Sequence, residues 1–187
     1  MKSLIATILM SAAIASAAEV GKPAPAFDVK DAKGASVSMA DLKGKVVVVE
    51  WNNFGCPFVE KHYSTGNMQK LQETYTGKDV VWLTVAAGSD TAAALSKAEE
   101  NKWKGSHYIL DSDGALKKDF GAKTTPHMFV IDKKGDLVYN GALDSKATTD
   151  KDDLSSAENY VAVAVDAALE GKPVTKSKTE PYGCAAK

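Results

Sequence analysis

The chain has 187 residues, 44% of them hydrophobic and 25% charged, which suits one globular domain and excludes a disordered, fibrous or polytopic protein. Its 23 basic residues nearly match its 24 acidic ones, and both signs are interspersed, so the basic stripe that nucleic-acid binding uses is missing. Every basic residue is Lys, which removes any mechanism resting on a guanidinium fork.

In chain order, the first segment reads as an address rather than as part of the fold. Lys2, the apolar run from Leu4 to Ile14 and the small residues Ala15-Ser16-Ala17-Ala18 follow the pattern of a secretory signal. The run is too short to span a bilayer. Residues 1–18 are therefore expected to be removed on export to a periplasmic or extracellular compartment, and the mature chain has no membrane span. Glu19 to Lys45 is rich in Pro and Gly and predicts an extended lead-in with at most one short hairpin, anchored by Phe27, Val29 and Val37.

The run Val46 to Trp51 is apolar and β-branched apart from Glu50, as expected of a strand buried on both faces. Pro57 suits a first helical turn, and Val59, His62, Tyr63, Met68, Leu71 and Tyr75 then recur at helical spacing, predicting one helix that lasts until Gly77. Val80 to Ala86 is a second buried strand, Thr91 to Lys102 an exposed helix, His107 to Leu110 a short strand and Ala115 to Phe120 a short helix. Met128 to Ile131 and Leu137 to Tyr139 flank a hairpin signal, so parallel and antiparallel pairings coexist in one mixed sheet. A polar loop, Asp144 to Asp153, precedes a last helix over Ser155 to Glu170. The domain is thus placed at 19–173, followed by a polar, mobile tail, 174–187, that carries Cys184 next to Gly183.

The two cysteines of an exported chain, Cys56 and Cys184, offer a single intramolecular pairing. It reads equally as a staple that ties down the C-terminus and as a redox pair. Cys56 stands where a buried strand ends and a helix begins, a position in which unpaired N–H groups and the helix dipole favour a thiolate. Glu60 and Lys61, one turn on, pull its pKa in opposite directions. Trp51, Phe54 and Phe58 bracket it, either as core and rim packing or as the wall of a pocket. Scattered His and two distant Cys give no recognised metal-ligand spacing, and no cofactor is expected.

Thr124-Thr125-Pro126-His127, directly before a strand, resembles the cis-proline loop of the thioredoxin superfamily. The lead-in from Gly21 to Phe27, the Leu42-Lys43-Gly44-Lys45 entry and the closing hairpin are similar to the redoxin branch, the alkyl hydroperoxide reductase and thiol-specific antioxidant group, over about Val20 to Gly171. The segments Gly55 to Tyr63, Thr124 to Val130 and Pro181 to Cys184 resemble a group of exported redoxin-like proteins.

The resemblance implies an α/β fold, a thioredoxin-like α/β/α sandwich with a central mixed β-sheet, and a thiol-disulfide oxidoreductase or thiol-dependent antioxidant. It implies Cys56 as nucleophile, Thr125 and Pro126 shaping the approach to it, and Cys184 as candidate resolving residue. Phe54, Pro57, Phe58 and His127 are the candidate substrate-binding residues, His127 on condition that strand alternation does not turn it to the other face. The partner would be a thiol or disulfide protein, a small thiol or a peroxide.

Departures from the family patterns narrow this reading. Val59 stands where a dithiol thioredoxin has its second Cys, and Glu60 where a copper-delivering relative has one. Asn53 and Val49 replace the Thr and Pro that precede a typical peroxidatic Cys, and no Arg is present to polarise a peroxide. The rival class is a binding or structural protein on the same scaffold, its two cysteines locked permanently together.

Overall fold

A computed structural model of the protein describes residues 18–187, so the expected signal, 1–18, lies outside the described residues except for Ala18. The Val run forms β3 (Val47–Trp51), buried at every position because both faces of the sheet are covered. It pairs in parallel with β4 (Val81–Ala87), which pairs in parallel with β5 (His107–Asp111). On its other side it pairs antiparallel with β7 (His127–Ile131), which continues into β8 (Leu137–Gly141). The order β5-β4-β3-β7-β8 is the expected mixed sheet.

Strand alternation sorts the core into two layers. Val46, Val48, Met128, Val130 and Tyr139 face a layer built from α1 (Pro57–Ser64), α2 (Asn67–Thr76) and α5 (Tyr160–Leu169). Val47, Val49, Trp51, Phe129 and Ile131 face α4 (Ala115–Phe120) and the lead-in, whose β1 (Asp28–Lys30) and β2 (Ser36–Ser38) make the one expected hairpin. The remaining helix, α3 (Thr91–Glu100), packs Ala98 with Ala86 and Tyr108.

Three expectations change. The single helix after Cys56 is two, because Ser64 and Thr65 turn their hydroxyls onto the carbonyls of Glu60, Lys61 and His62 while Gly66 takes φ +77°. The last helix begins at Tyr160, capped by Asn159, and Asp152–Ser155 is a separate 3₁₀ turn. The polar tail is not loose. Asn140 N–H donates to the Ser177 carbonyl (3.0 Å) and Thr179 N–H to the Asn140 carbonyl (3.2 Å), laying the tail along the outer edge of β8. Gly141 permits this approach, since a Cβ there would collide with Thr179. The chain ends on a short strand, β9 (Cys184–Ala185), paired antiparallel with β6 (Thr124–Thr125).

Candidate functional site

Cys56 is the N-cap of α1 and Pro57 its first residue; no side chain caps this end, and the Cys56 carbonyl accepts from Val59 and Glu60 N–H at 2.9 and 2.8 Å. The β3 run thus delivers the cysteine to the carboxyl end of the central strand, at the positive end of a helix. Cys56 is completely buried and is joined in a disulfide to the half-buried Cys184, with 6.0 Å between Cα atoms and a separation of 128 positions in sequence. The Thr125–Pro126 peptide is cis, and the Thr125 carbonyl oxygen lies 3.0 Å from Cys56 Sγ. Thr125 is also the register partner of Cys184, so Cys56, Thr125, Pro126 and Cys184 are brought together.

The other expected residues divide. Phe54 is half-buried, edge-on to Tyr63 (4.9 Å between centroids) and stacked on Tyr108 (6.2 Å), and Phe58 packs on Tyr182 of the tail at 5.8 Å. Pro57 is exposed beside the disulfide. His127 departs from expectation, because alternation turns it to the Phe129 side of the sheet, away from the layer that holds Cys56. Its Nδ1 accepts from Lys123 N–H (3.1 Å), which leaves Nε2 to donate to Asn140 Oδ1 (2.8 Å). Burial lowers this imidazole to about 4, so it is neutral, and no ring nitrogen remains for a substrate.

Two groups that sequence reasoning passed over shape the surroundings. Glu50, on the α1 face of β3, is fully buried and accepts from Asn52 Nδ2 (2.9 Å), Tyr63 hydroxyl (2.9 Å), Gln72 Nε2 (3.2 Å), Trp82 Nε1 (2.8 Å) and Thr84 hydroxyl (3.1 Å). Burial raises its pKa against the lowering effect of these donors. The visible signal was a lone acid inside an apolar run. The second group lies one turn along α1. Asp144 of the polar loop faces Lys61 Nζ (3.9 Å) and His62 Nε2 (3.7 Å), while Lys61 Nζ donates to the Lys146 carbonyl at 2.9 Å. All three side chains are buried, and burial lowers both Lys61 and His62, the latter to about 4. Lys61 is therefore committed to the loop rather than to the cysteine.

A cleft of about 440 Å³ opens beside the disulfide between the carboxyl ends of β3, β4 and β5 and the start of α3. Asn53, Phe54, Tyr108 and Thr125 line it, with Ala185 of the tail. Trp51 Nε1, Asn52 Oδ1 and Thr125 Oγ1, from residues of this wall, are buried without hydrogen-bond partners.

The chain has counterparts among known proteins. The family model described as Redoxin matches residues 19–161. The chain is similar to the thiol-disulfide oxidoreductase ResA of Bacillus thuringiensis, 29% identical over 120 residues, 64% of this chain and 68% of that one. Among solved structures, a hypothetical protein of Sinorhizobium meliloti superposes with a TM-score of 0.74 at 23% identity, covering 92% of this chain and 96% of that one. A thiol:disulfide interchange protein DsbE of Chlorobium tepidum superposes with a TM-score of 0.60 at 21% identity, covering 82% and 99%. At these identities the two structures bear on the fold, which is thioredoxin-like.

Proposed function

The chain belongs to the redoxin family, and from that premise we propose that it is a thiol-disulfide oxidoreductase in which Cys56 and Cys184 cycle between disulfide and dithiol. The observation that carries this reading is the disulfide itself, formed by a helix-start cysteine against the cis-proline loop, beside an open cleft. In the reduced protein the Thr125 carbonyl is placed to accept the Cys56 S–H, and the start of α1 favours the thiolate once that proton leaves. The thiolate attacks a partner disulfide, forming a Cys56–partner bond and releasing one partner thiolate. Cys184 then attacks Cys56 Sγ, restoring the internal disulfide and releasing the second thiol. Two electrons pass to the partner, and two thiols of an external donor return them.

Thr125 and Pro126 border the approach, with Phe54, Pro57 and Phe58 as its contact surface; His127 has no part in it. A peroxide is a poorer partner on the absence of any Arg. The N-terminal pattern of Lys2, Leu4 to Ile14 and Ala15 to Ala18 supports a site of action outside the cytoplasm.

One observation favours the rival reading of a permanent staple: Cys56 is completely enclosed while the tail is seated. The two readings separate on the reduction potential of the couple, measured by equilibrating the protein in graded thiol buffers and counting free thiols by mass after alkylation. A cycling pair is expected between about −120 and −270 mV; a value below about −300 mV would make the disulfide structural and remove the proposed activity.

A further inference from the structure

The last turn of the chain is held by more than its cysteine. Tyr182 packs its ring on Phe58 (5.8 Å) with Lys61 Nζ over it at 5.5 Å. Its hydroxyl donates to Asp144 Oδ1, an oxygen that also accepts from Lys146 N–H at 2.8 Å. Asp144 is only 2% exposed, and its other oxygen faces Lys61 and His62. A hydroxyl given to a buried carboxylate is among the stronger neutral–ion hydrogen bonds. Burial and Asp144 both push the Tyr182 phenol up, so it remains a donor at any working pH. Next to it Gly183 has φ +136°, and a Cβ there would run into the Thr125 carbonyl. Tyr, Gly and Cys therefore form one docking unit: a side-chain anchor, a close backbone approach and the sulfur. Neither of the first two contacts is made by a sulfur atom.

We propose that Tyr182 is a latch, a positioning residue that keeps β9 seated over Cys56 in both redox states, and so presents Cys184 for ring closure while restricting a partner's access to Cys56. The inference rests on the cycling pair proposed above. In the closing step the Cys184 thiolate attacks Cys56 Sγ of the mixed disulfide. The Cys56–Cys184 bond forms, the Cys56–partner bond breaks, the partner leaves as a thiolate, and the Cys184 proton goes to solvent. A seated tail raises the effective concentration of Cys184 at that moment. When the tail lifts, Cys56 is uncovered and closure slows, so one substitution should move the two processes in opposite directions.

The test compares the purified wild-type protein with Tyr182→Phe, which keeps the ring on Phe58 and loses only the hydroxyl. The equilibrium constant for forming the Cys56–Cys184 disulfide, read against a dithiol buffer, is expected to fall about tenfold, which is about 30 mV for a two-electron couple. In a Cys184→Ser background, the rate at which Cys56 reacts with 5,5′-dithiobis(2-nitrobenzoate) is expected to rise by a similar factor when Tyr182→Phe is added. Gly183→Ala, which acts on the same unit through the backbone, is expected to move both quantities in the same directions. Unchanged constants and labelling rates, or slower labelling of Cys56, would overturn the latch. A wild-type couple below the cycling range ends the reading of the preceding subsection, whereas the ratio of the two constants still decides Tyr182.

Discussion

Glu50 stands where a lone carboxylate is least tolerable, in the central strand with no surface exposed, and the fold answers with donors from three elements besides its own, α1, α2 and β4, and from Asn52 just past the end of β3. The orientation of the cage is fixed: Gln72 Oε1 accepts from Lys104 N–H, leaving its amide nitrogen for Glu50, and Trp103 Nε1 donates to Thr84 Oγ1, leaving that hydroxyl's proton for Glu50. Each donor lost from a buried acceptor costs free energy individually. Glu50→Gln would replace one acceptor oxygen with an NH₂ facing other donors, and the expected loss is about 3 kcal/mol or more, read as a lower urea midpoint at unchanged slope. A variant within about 1 kcal/mol of wild type would mean that the cage re-forms around the amide. The sequence displayed the acid but not the cage, because Tyr63, Gln72, Trp82 and Thr84 are scattered along the chain and meet only through the β3–β4 pairing and the packing of α1 and α2.

At the scale of elements, what was legible is what local chemistry dictates. A β-branched run followed by Cys-Pro reads as strand and helix start, and Pro126 before an apolar run reads as a strand entry; both stand where expected. The α1–α2 break was hidden because apolar spacing continues across it: Tyr63 and Met68 both reach the same core. Gly66 makes the break affordable to the backbone at φ +77°, and a Cβ there would meet nothing within 4 Å. Gly66→Ala should therefore cost only the left-handed strain, about 1 kcal/mol, with the disulfide couple unchanged. A loss several times larger in denaturant titration would show that the turn carries contacts beyond its backbone geometry. The tail was illegible for the opposite reason. Ser177, Thr179 and Tyr182 have no periodicity to read, and their partners, Asn140, Tyr139 and Asp144, are defined only once β8 and the loop after it are in place.

For the whole molecule, the histidines couple stability to pH through groups on both layers of the sandwich. His62 lies beneath the loop on the α1 side and His127 on the opposite face, each held neutral by burial with a pKa of about 4. In the unfolded chain both return to about 6.5. Between those values the unfolded chain takes up protons that the native protein refuses, so stability falls as pH drops from about 6.5 to 4 and levels off below that. A gap of this size is worth about 3 kcal/mol for each imidazole. Glu50 works in the other direction, since its raised pKa makes the native state the stronger proton binder above the ordinary carboxylate range, and acidification there favours the fold. The histidine effect begins at higher pH, so the urea midpoint should already decline between pH 7 and 5.5, before carboxylates titrate in the unfolded chain. Replacing His127 by Gln, which retains a donor for Asn140 and an acceptor for Lys123, should remove about half of that early decline. A midpoint flat from pH 7 to 5.5 would mean that the two imidazoles accept protons in the folded state, which requires water to reach them or Asp144 to close on His62 Nε2 from its present 3.7 Å.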